Sequence, residues 1–354
     1  MAHLWRGVIE EYREWLPVTE ATPVITLGEG GTPLVRSAWL SGVVRGDVWL
    51  KVEGDNPTGS FKDRGMTVAL SIAAGEGAKA VVCASTGNTS ASMAAYAASA
   101  GLTPIVLVPH GKIAAGKMAQ AVMHGAEVIQ VNGNFDDCLT MSRGLAEHYP
   151  VALVNSVNPM RLQGQKTAAF EIVDALAATP DLHVLPVGNA GNISAYWLGF
   201  REYAEAGIAT KTPTLWGFQA EGAAPIVNGA PVLHPDTIAS AIRIGNPASW
   251  HLAVAARDES GGRIDAVSDA QILQAQRDLA SRDGVFVEPA SAAGVAGLVA
   301  AAERGEVLPG QLISVTVTGH GLKDIETALS GIDSIIDSVI EVDVDAAAAA
   351  AGLA

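Results

Sequence analysis

The stretch Gly54-Asp55-Asn56-Pro57-Thr58-Gly59-Ser60-Phe61-Lys62-Asp63-Arg64 is the segment around which the rest of the chain is organised. Its first half consists of turn-forming residues, and Gly59 permits the positive-φ backbone of a sharp turn. A run dense in helix formers follows, with apolar residues at Met66, Val68 and Leu70. We therefore predict that Lys62 stands at the start of a helix.

The position of Lys62 predicts an unusual amine. The positive end of the helix dipole and the neighbouring Arg64 both disfavour the ammonium form. The resulting amine is more nucleophilic and can hold an aldehyde as a Schiff base. From position alone, an ordinary first-turn lysine that reaches into water is the simpler interpretation. Only motifs elsewhere in the chain can distinguish a Schiff-base lysine from a solvated one.

Length, composition and charge limit the class of protein. A chain of 354 residues predicts two domains, because single cores stop growing at roughly 250 to 300 residues. An apolar fraction of 49% with 17% charged residues predicts a well-packed globular protein. The net charge of −15 argues against nucleic acid and anionic membranes as partners, so an anionic substrate needs a locally basic pocket.

The cysteines and histidines predict no metal site. Cys83 and Cys138 lie far apart and show no metal-ligand spacing, and the histidines form no pair at helical spacing. Two unpaired cysteines fit a reducing cytoplasm. The first residues lack a long apolar segment, and no apolar run approaches a membrane span, so we expect neither a signal peptide nor an anchor.

Short apolar β-rich runs alternate with helical stretches along the chain. The predicted strands are 48–52, 80–84, 104–108, 127–131, 152–154, 184–187, 215–218 and 313–317, and a helix predicted over 114–124 is one of those between them. This alternation predicts βαβ units and mainly parallel sheets flanked by helices. We also expect residues 1–20 to form one amphipathic helix, and residues 346–351 to be a loose tail.

Polar loops follow the predicted strands, where parallel sheets bind ligands. After strand 80–84 comes Ser85-Thr86-Gly87-Asn88-Thr89. Its hydroxyls, with the N–H groups at the next helix start, suit a carboxylate. Plain N-capping by Ser or Thr explains the same residues equally well.

A glycine-rich turn, Gly188-Asn189-Ala190-Gly191-Asn192, follows strand 184–187. Its glycines let the backbone approach closely and aim several N–H groups at one anion, which predicts a phosphate site without a basic side chain. It is neither GxGxxG nor GxxxxGK[ST], so neither a dinucleotide nor a nucleoside triphosphate is indicated. A simple connector is the alternative.

Two further strand ends carry candidate groups. Asn155-Ser156-Val157-Asn158-Pro159-Met160-Arg161 places an arginine in a first helical turn, where its planar donor fork suits a phosphate. The alternatives for Arg161 are a solvated side chain or an ion pair with Glu171. Thr318, after strand 313–317, offers a hydroxyl that can bond a ring nitrogen without charging it.

Together these motifs resemble the β-family (fold type II) of pyridoxal-phosphate enzymes over most of the chain. The residues that carry the resemblance are 28–34, 56–64, 85–89, 155–161, 164–167, 188–192 and 318–321. It implies the α/β architecture of tryptophan synthase β, with two open, mainly parallel sheets flanked by helices. It also implies a larger cofactor-binding domain, residues 1–62 and 158–354, and a smaller mobile domain, residues 63–157.

The resemblance also implies residue roles. Lys62 forms the Schiff base with pyridoxal 5'-phosphate and Asn88 bonds the ring hydroxyl of the cofactor. The residues implied to hold the rest of the cofactor are Gly188, Asn189, Ala190, Gly191 and Asn192 at its phosphate and Thr318 at its pyridine nitrogen. The residues implied to bind substrate are Ser85, Thr86 and Thr89 at the carboxylate, and Asn155, Ser156 and Arg161, with Asn189, at a phosphate.

Within this group the sequence resembles the threonine synthases most closely, because a dehydratase substrate has no phosphate and needs no arginine at position 161. The implied reaction is γ-elimination of phosphate from O-phospho-L-homoserine and addition of water at Cβ, with Lys62 as general base, giving L-threonine. A threonine or serine dehydratase that forms a 2-oxo acid is the alternative, and a phosphate-ligand sensor is the non-enzyme alternative. The resemblance further suggests a cytoplasmic homodimer.

Overall fold

The structure is a computed structural model that describes residues 3–111, 115–330, 332, 334, 336 and 338–353; of residues 115–117 it describes only the backbone. The predicted helix start at Ala114 lies outside the described residues. Within these residues the strands are β1 Leu34–Arg36, β2 Asp47–Val52, β3 Ala80–Ala84, β4 Thr103–Pro109, β5 Glu127–Val131, β6 Val151–Leu153, β7 Leu182–Pro186, β8 Thr214–Ala220, β9 Arg263–Val267 and β10 Leu312–Val317.

The strands form two sheets. One has the order β1-β2-β10-β7-β8-β9 and the other β5-β4-β3-β6. The pair β1–β2 is antiparallel, whereas the other paired strands run parallel. This confirms the predicted α/β fold with two mainly parallel sheets.

Helices connect and flank the strands, as parallel pairing requires. Among the described residues they are α1 Val8–Glu11, α2 Ala38–Val44, α3 Lys62–Gly75, α4 Asn88–Ala100, α5 Ala115–Met123, α6 Phe135–His148, α7 Pro159–Leu176, α8 Gly191–Glu205, α9 Pro225–Asn228, α10 Trp250–Glu259, α11 Asp269–Asp283, α12 Pro289–Glu303, α13 Ile325–Ala328 and α14 Val344–Ala350.

The core of the six-stranded sheet lies under β2, β7 and β10. Leu50, Val184 and Val315 are adjacent in register and fully buried. Helix α12 packs on this sheet through small residues, and a Cβ at Gly297 would lie 2.2 Å from the Phe218 ring. The glycine thus sets how closely α12 approaches the sheet.

The four-stranded sheet has its own core. Val81 and Cys83 of β3 pack with Met93 of α4 on one face, and Cys138 of α6 covers the other. The chain enters this sheet after β1 and β2 and leaves it before β7, so the larger sheet takes its strands from both ends of the sequence. The domain boundaries stay a prediction.

Helices α3 and α7 cross at very short range. A Cβ at Gly65 would lie 2.8 Å from the carbonyl oxygen of Arg161, and one at Gly164 would lie 1.9 Å from that of Arg64. Only glycine fits at both positions. The crossing brings the first turn of α3, with Lys62, beside the first turn of α7.

Several local predictions were wrong or incomplete. One helix was predicted over residues 1–20, but the described part, residues 3–20, forms α1 and a 3₁₀ turn, Arg13–Trp15. The alanine run is helical in α14, since alanine has the highest helix propensity and Asp343 caps the helix. The sequence did not predict α2, α10 or β9. In the part of the chain described, no helix is long and apolar enough to cross a membrane.

Candidate active site

Helix α3 begins at Lys62, as predicted, and its preceding turn is tightly held. Gly59 has φ of 85°, and Asp63 accepts hydrogen bonds from Thr58 N–H at 2.7 Å and Thr58 Oγ1 at 2.6 Å. The N–H of Phe61 donates to the carbonyl of Thr318 at 3.0 Å. The turn thereby fixes Lys62 at the end of β10, where the predicted ligand site lies.

The amine of Lys62 has the lowered basicity that the sequence predicts, but for another reason. Burial, followed by the charge of Arg161, lowers its pKa to about 7, while Glu288 opposes the shift. Arg64 does not contribute, because its guanidinium is paired with Glu53 and Glu171. A substantial fraction of Lys62 is therefore neutral and nucleophilic near neutral pH.

The loop before α4 presents Asn88 to the same region. Asn88 Nδ2 donates to both carboxylate oxygens of Glu288 at 3.1 Å. The N-cap of α4 is Gly87, and no side-chain hydrogen bond caps it among the described residues. The N-capping alternative for Ser85, Thr86 and Thr89 is thus wrong. Their side chains are partly buried, and Ser85 Oγ accepts from the N–H of Gly87 at 3.2 Å.

The glycine-rich turn leads into α8, which begins at Gly191. Its N-cap, Ala190, has φ of 67°, a left-handed conformation rare outside glycine. A Cβ at Gly188 would lie 2.9 Å from Ile242 Cα, so the turn is built for close backbone approach. Asn192 Nδ2 is buried without a hydrogen-bond partner among the described residues. The turn therefore leaves donors open at a helix N-terminus, as a bound anion requires.

Arg161 lies buried in the first turn of α7, where Asn158 caps the helix. Nη1 donates to the carbonyl of Val154 at 3.3 Å, and Nε has no partner among the described residues. Burial lowers its pKa to about 10, which keeps the guanidinium charged at neutral pH. The alternative pairing with Glu171 is wrong, because Glu171 accepts from Arg64 and Lys51.

The other two residues of that loop hold different partners. Asn155 bonds the backbone of Ala84 through both ends of its amide, at 3.0 and 3.1 Å. Ser156 Oγ accepts a hydrogen bond from Asn189 Nδ2. The structure therefore brings the two predicted anion sites into contact. Asn155 connects the loop that carries Arg161 to the end of β3 through its hydrogen bonds with Ala84.

Thr318 directly follows β10, as predicted, and is buried. Its Oγ1 lies 2.9 Å from Ser291 Oγ, which also accepts from the N–H groups of Thr318 and Gly319 at 3.0 and 2.8 Å. Ser291 is a residue that the sequence reasoning missed. It holds the oxygen of the threonine hydroxyl in place.

Glu288 is the second residue that was missed. It is the buried N-cap of α12, and a Cβ at Gly319 would lie 2.4 Å from its Oε1. Its only signal in the sequence is an acidic residue before Pro289-Ala290-Ser291, which reads as an ordinary helix start.

The arrangement fits pyridoxal 5'-phosphate. It combines an amine with a pKa near 7, a glycine cradle with an open buried amide at Asn192, and a hydroxyl at Thr318. Arg161, whose buried Nε has no hydrogen-bond partner among the described residues, is the predicted second anion-binding group. Within the described ranges no group of His, Cys, Asp and Glu could hold a metal ion.

Comparisons with known proteins agree with this assignment. The family model described as pyridoxal-phosphate dependent enzyme matches residues 25–319. The threonine synthase of Mycobacterium tuberculosis is 58% identical over 99% of this chain and 97% of its own length, and that of Synechocystis sp. is 54% identical over 98% and 91%. The solved structure of a threonine deaminase from T.th. is 27% identical, covers 85% of this chain and 96% of its own, and has a TM-score of 0.70.

Proposed function

This chain belongs to the pyridoxal-phosphate-dependent enzymes and, among them, to the threonine synthase family, and from that premise we propose that it converts O-phospho-L-homoserine and water into L-threonine and phosphate. Its cofactor is pyridoxal 5'-phosphate. The observation that carries the choice of substrate is the buried, charged Arg161, which has an open Nε and whose charge acts on Lys62.

We infer the cofactor contacts from the groups of the site that can still form bonds to a ligand. Lys62 bonds the cofactor aldehyde, Asn88 its ring hydroxyl, and Thr318 its pyridine nitrogen. The residues that hold the cofactor phosphate are Gly188, Asn189, Ala190, Gly191 and Asn192. The bound cofactor supplies an electron-withdrawing ring that stabilises negative charge at the substrate carbons.

The substrate lies between two groups of donors in this proposal. Its carboxylate is held by Ser85, Thr86 and Thr89 with the free N–H groups of α4. Its phosphate is held by Asn155, Ser156 and Arg161, with help from Asn189. The Asn189–Ser156 hydrogen bond supports this placement, because it joins the substrate-phosphate loop to the cofactor-phosphate turn.

Lys62 moves the protons. As a neutral amine it takes the proton from Cα, and its pKa near 7 suits both uptake and release of a proton at neutral pH. Loss of a Cβ proton then lets phosphate leave from Cγ, where Arg161 stabilises the leaving anion. Return of one proton at Cγ moves the double bond to Cα–Cβ. Water then adds its oxygen at Cβ, and return of the second proton at Cα completes threonine.

The dehydratase alternative uses the same lysine, asparagine loop and glycine turn. A dehydratase substrate carries no phosphate, and it would leave the buried charge of Arg161 unpaired at a cost of several kcal/mol. The 58% identity to a threonine synthase against 27% to a threonine deaminase favours the same choice. A phosphate-ligand sensor would need no amine at position 62.

We also propose the larger-scale features that the site needs. Residues 63–157 form a smaller mobile domain that closes over the substrate, because early access of water would divert the reaction. The larger domain comprises residues 1–62 and 158–354. The enzyme acts as a homodimer in the cytoplasm without a nucleic-acid partner; the buried free thiols of Cys83 and Cys138 support a reducing compartment.

One experiment separates these functions. Protein loaded with pyridoxal 5'-phosphate receives O-phospho-L-homoserine in one reaction and L-threonine or L-serine in another. We expect equal amounts of phosphate and threonine from the first. A 2-oxo acid and ammonia from the second reaction alone would establish a dehydratase, and no turnover with no cofactor absorbance would establish a sensor.

A further inference from the structure

Glu288 lies among the cofactor-site residues without a role in the chemistry described so far. Its carboxylate accepts from Asn88 Nδ2 at 3.1 Å on both oxygens, and it acts electrostatically on Lys62. The side chain is 5% exposed. A buried carboxylate that faces the cofactor lysine and asparagine is costly unless these contacts compensate for its desolvation.

We propose that Glu288 is a positioning residue of the cofactor site, which fixes the direction of the Asn88 amide and provides the counter-charge to the Lys62 amine. The proposal rests on the proposed function only in placing the cofactor at Lys62. Glu288 itself takes no part in bond making or breaking.

The chemistry of the two side chains explains the positioning. A carboxylate is only an acceptor, so it selects the Nδ2 end of the Asn88 amide and turns Oδ1 away. Nδ2 carries two N–H groups, and one of them remains for a bound ligand. An acceptor-only neighbour thus prevents the 180° flip that would present Oδ1 in place of a donor.

A purely structural role at the start of α12 explains the Glu288 carboxylate less well than a positioning role does. The contacts that hold the start of α12 are backbone ones: Glu288 N–H donates to Gly319 O at 3.0 Å, and Ser291 N–H donates to Glu288 O at 2.9 Å. Among the described residues the side chain does not cap the helix. The carboxylate could therefore be replaced without loss of these bonds.

The charged groups around the pair come from several elements. Burial raises the pKa of Glu288 and Asp324 adds to the rise, whereas the Asn88 hydrogen bond, Lys323 in the turn after β10 and Lys62 of α3 favour its ionised form. Arg161 of α7 faces Lys62 and opposes its protonation. Glu288 is the anion that partly offsets the effect of Arg161 on the amine.

The link to Asn88 is tested by cofactor affinity. Dissociation constants for pyridoxal 5'-phosphate are measured by equilibrium dialysis for the wild type, Glu288→Ala, Asn88→Ala and the double variant. We expect each single change to weaken binding about tenfold, as for one lost hydrogen bond to a charged group. The double variant should bind no worse than Asn88→Ala alone, because Glu288 acts through Asn88. Losses that multiply would overturn the proposal.

The link to Lys62 is tested in cofactor-free protein. Acetylation of Lys62 is followed by mass spectrometry as a function of pH in the wild type and Glu288→Gln. Loss of the anion should move the midpoint to lower pH by about half a unit or more. Glu303→Gln, an exposed carboxylate at the other end of α12, should leave the midpoint unchanged. An unmoved midpoint in Glu288→Gln would overturn the proposal even if the affinity test succeeds.

Neither measurement uses turnover. A wild type that binds the cofactor but forms no threonine would disprove the proposed function and leave the Glu288 tests readable. Failure of the Glu288 tests in an enzyme that makes threonine would disprove only the positioning role.

Discussion

Asn189 donates a side-chain hydrogen bond to Ser156, although Asn189 follows β7 of the six-stranded sheet and Ser156 follows β6 of the four-stranded sheet. The bond joins the glycine-rich turn to the loop that carries Arg161. Two predicted anion sites, one after a strand of each sheet, therefore lie next to each other.

Replacement of Lys62 should abolish both cofactor attachment and turnover. Lys62→Ala lacks the amine that bonds the aldehyde and moves the proton, so we expect threonine formation to fall by at least about 100-fold and the visible absorbance of the bound cofactor to vanish. Lys79→Ala, a change at an exposed lysine just before β3, serves as control. Unchanged absorbance in Lys62→Ala would show that Lys62 does not form the Schiff base with the cofactor.

Replacement of Arg161 should weaken substrate binding much more than cofactor binding. Arg161→Ala should raise the KM for O-phospho-L-homoserine by about 100-fold, as expected for a buried charge–phosphate contact, and change the cofactor dissociation constant by less than about threefold. Arg161→Lys should restore little, because lysine lacks the planar fork. Steady-state kinetics and dialysis, with exposed Arg143→Ala as control, measure both quantities. Equal losses would refute the assignment.

The partly buried, desolvated amine of Lys62 should destabilise the cofactor-free protein in a pH-dependent way. Its pKa is about 7 in the folded state against 10.5 ordinarily. The unfolded chain therefore binds more protons between these values, and the free energy of unfolding rises with pH across this window. Lys62→Met should be more stable than the wild type by about 1–3 kcal/mol at pH 6.5, a gain that shrinks toward pH 10. Urea unfolding of both proteins at several pH values measures this gain in stability. A gain that does not change with pH would contradict the prediction.

Glu171 should contribute strongly to stability. Burial opposes its ionisation, but Arg64 and Lys51 outweigh burial and lower its pKa to about 2. Glu171→Gln should lower the free energy of unfolding by about 3–5 kcal/mol at pH 7, because it leaves buried cations unpaired. With a folded-state pKa below 4.5, the contribution is complete above pH 4.5 and lost as the pH falls through 2.

Chemical unfolding of Glu171→Gln between pH 3 and pH 7 measures this contribution. Glu20→Gln, which changes an exposed carboxylate in a loop, should alter stability by less than about 0.5 kcal/mol. A loss in Glu171→Gln as small as in the control would show that the buried network is not stabilising.

The sequence predicted the fold class because its signals are local. Strands of parallel sheets are continuous apolar runs, and the polar loops that follow them mark the ligand edge. Lys62 and the loops 85–89 and 188–192 could be proposed this way, because each follows a predicted strand. The role of Asn88 was implied by the family resemblance and stays a prediction. The single helix predicted over residues 1–20 failed because Gly7, with φ of 96°, precedes α1 and the last turn is only a 3₁₀ turn.

Glu288 and Ser291 could not be identified from the sequence, because their importance comes from tertiary contacts alone. Glu288 looks like a helix N-terminal acid, and only the packing of Gly319 against it places its carboxylate at Asn88. The cause of the lowered pKa of Lys62 was mistaken for the same reason. Arg64 is adjacent in sequence, but buried acids hold its charge, whereas Arg161 acts from another helix.

The pairing of β2 with β10 joins two strands that are far apart in the sequence, with Val52 opposite Val317. The central strand of the larger sheet is thus made almost last during synthesis, after the four-stranded sheet can already form. A nascent chain displays Lys62 long before it possesses Thr318 and Ser291. We therefore expect capture of the cofactor to come late in biogenesis. A chain truncated before β10 would lack the strand that joins β2 to β7 in the larger sheet.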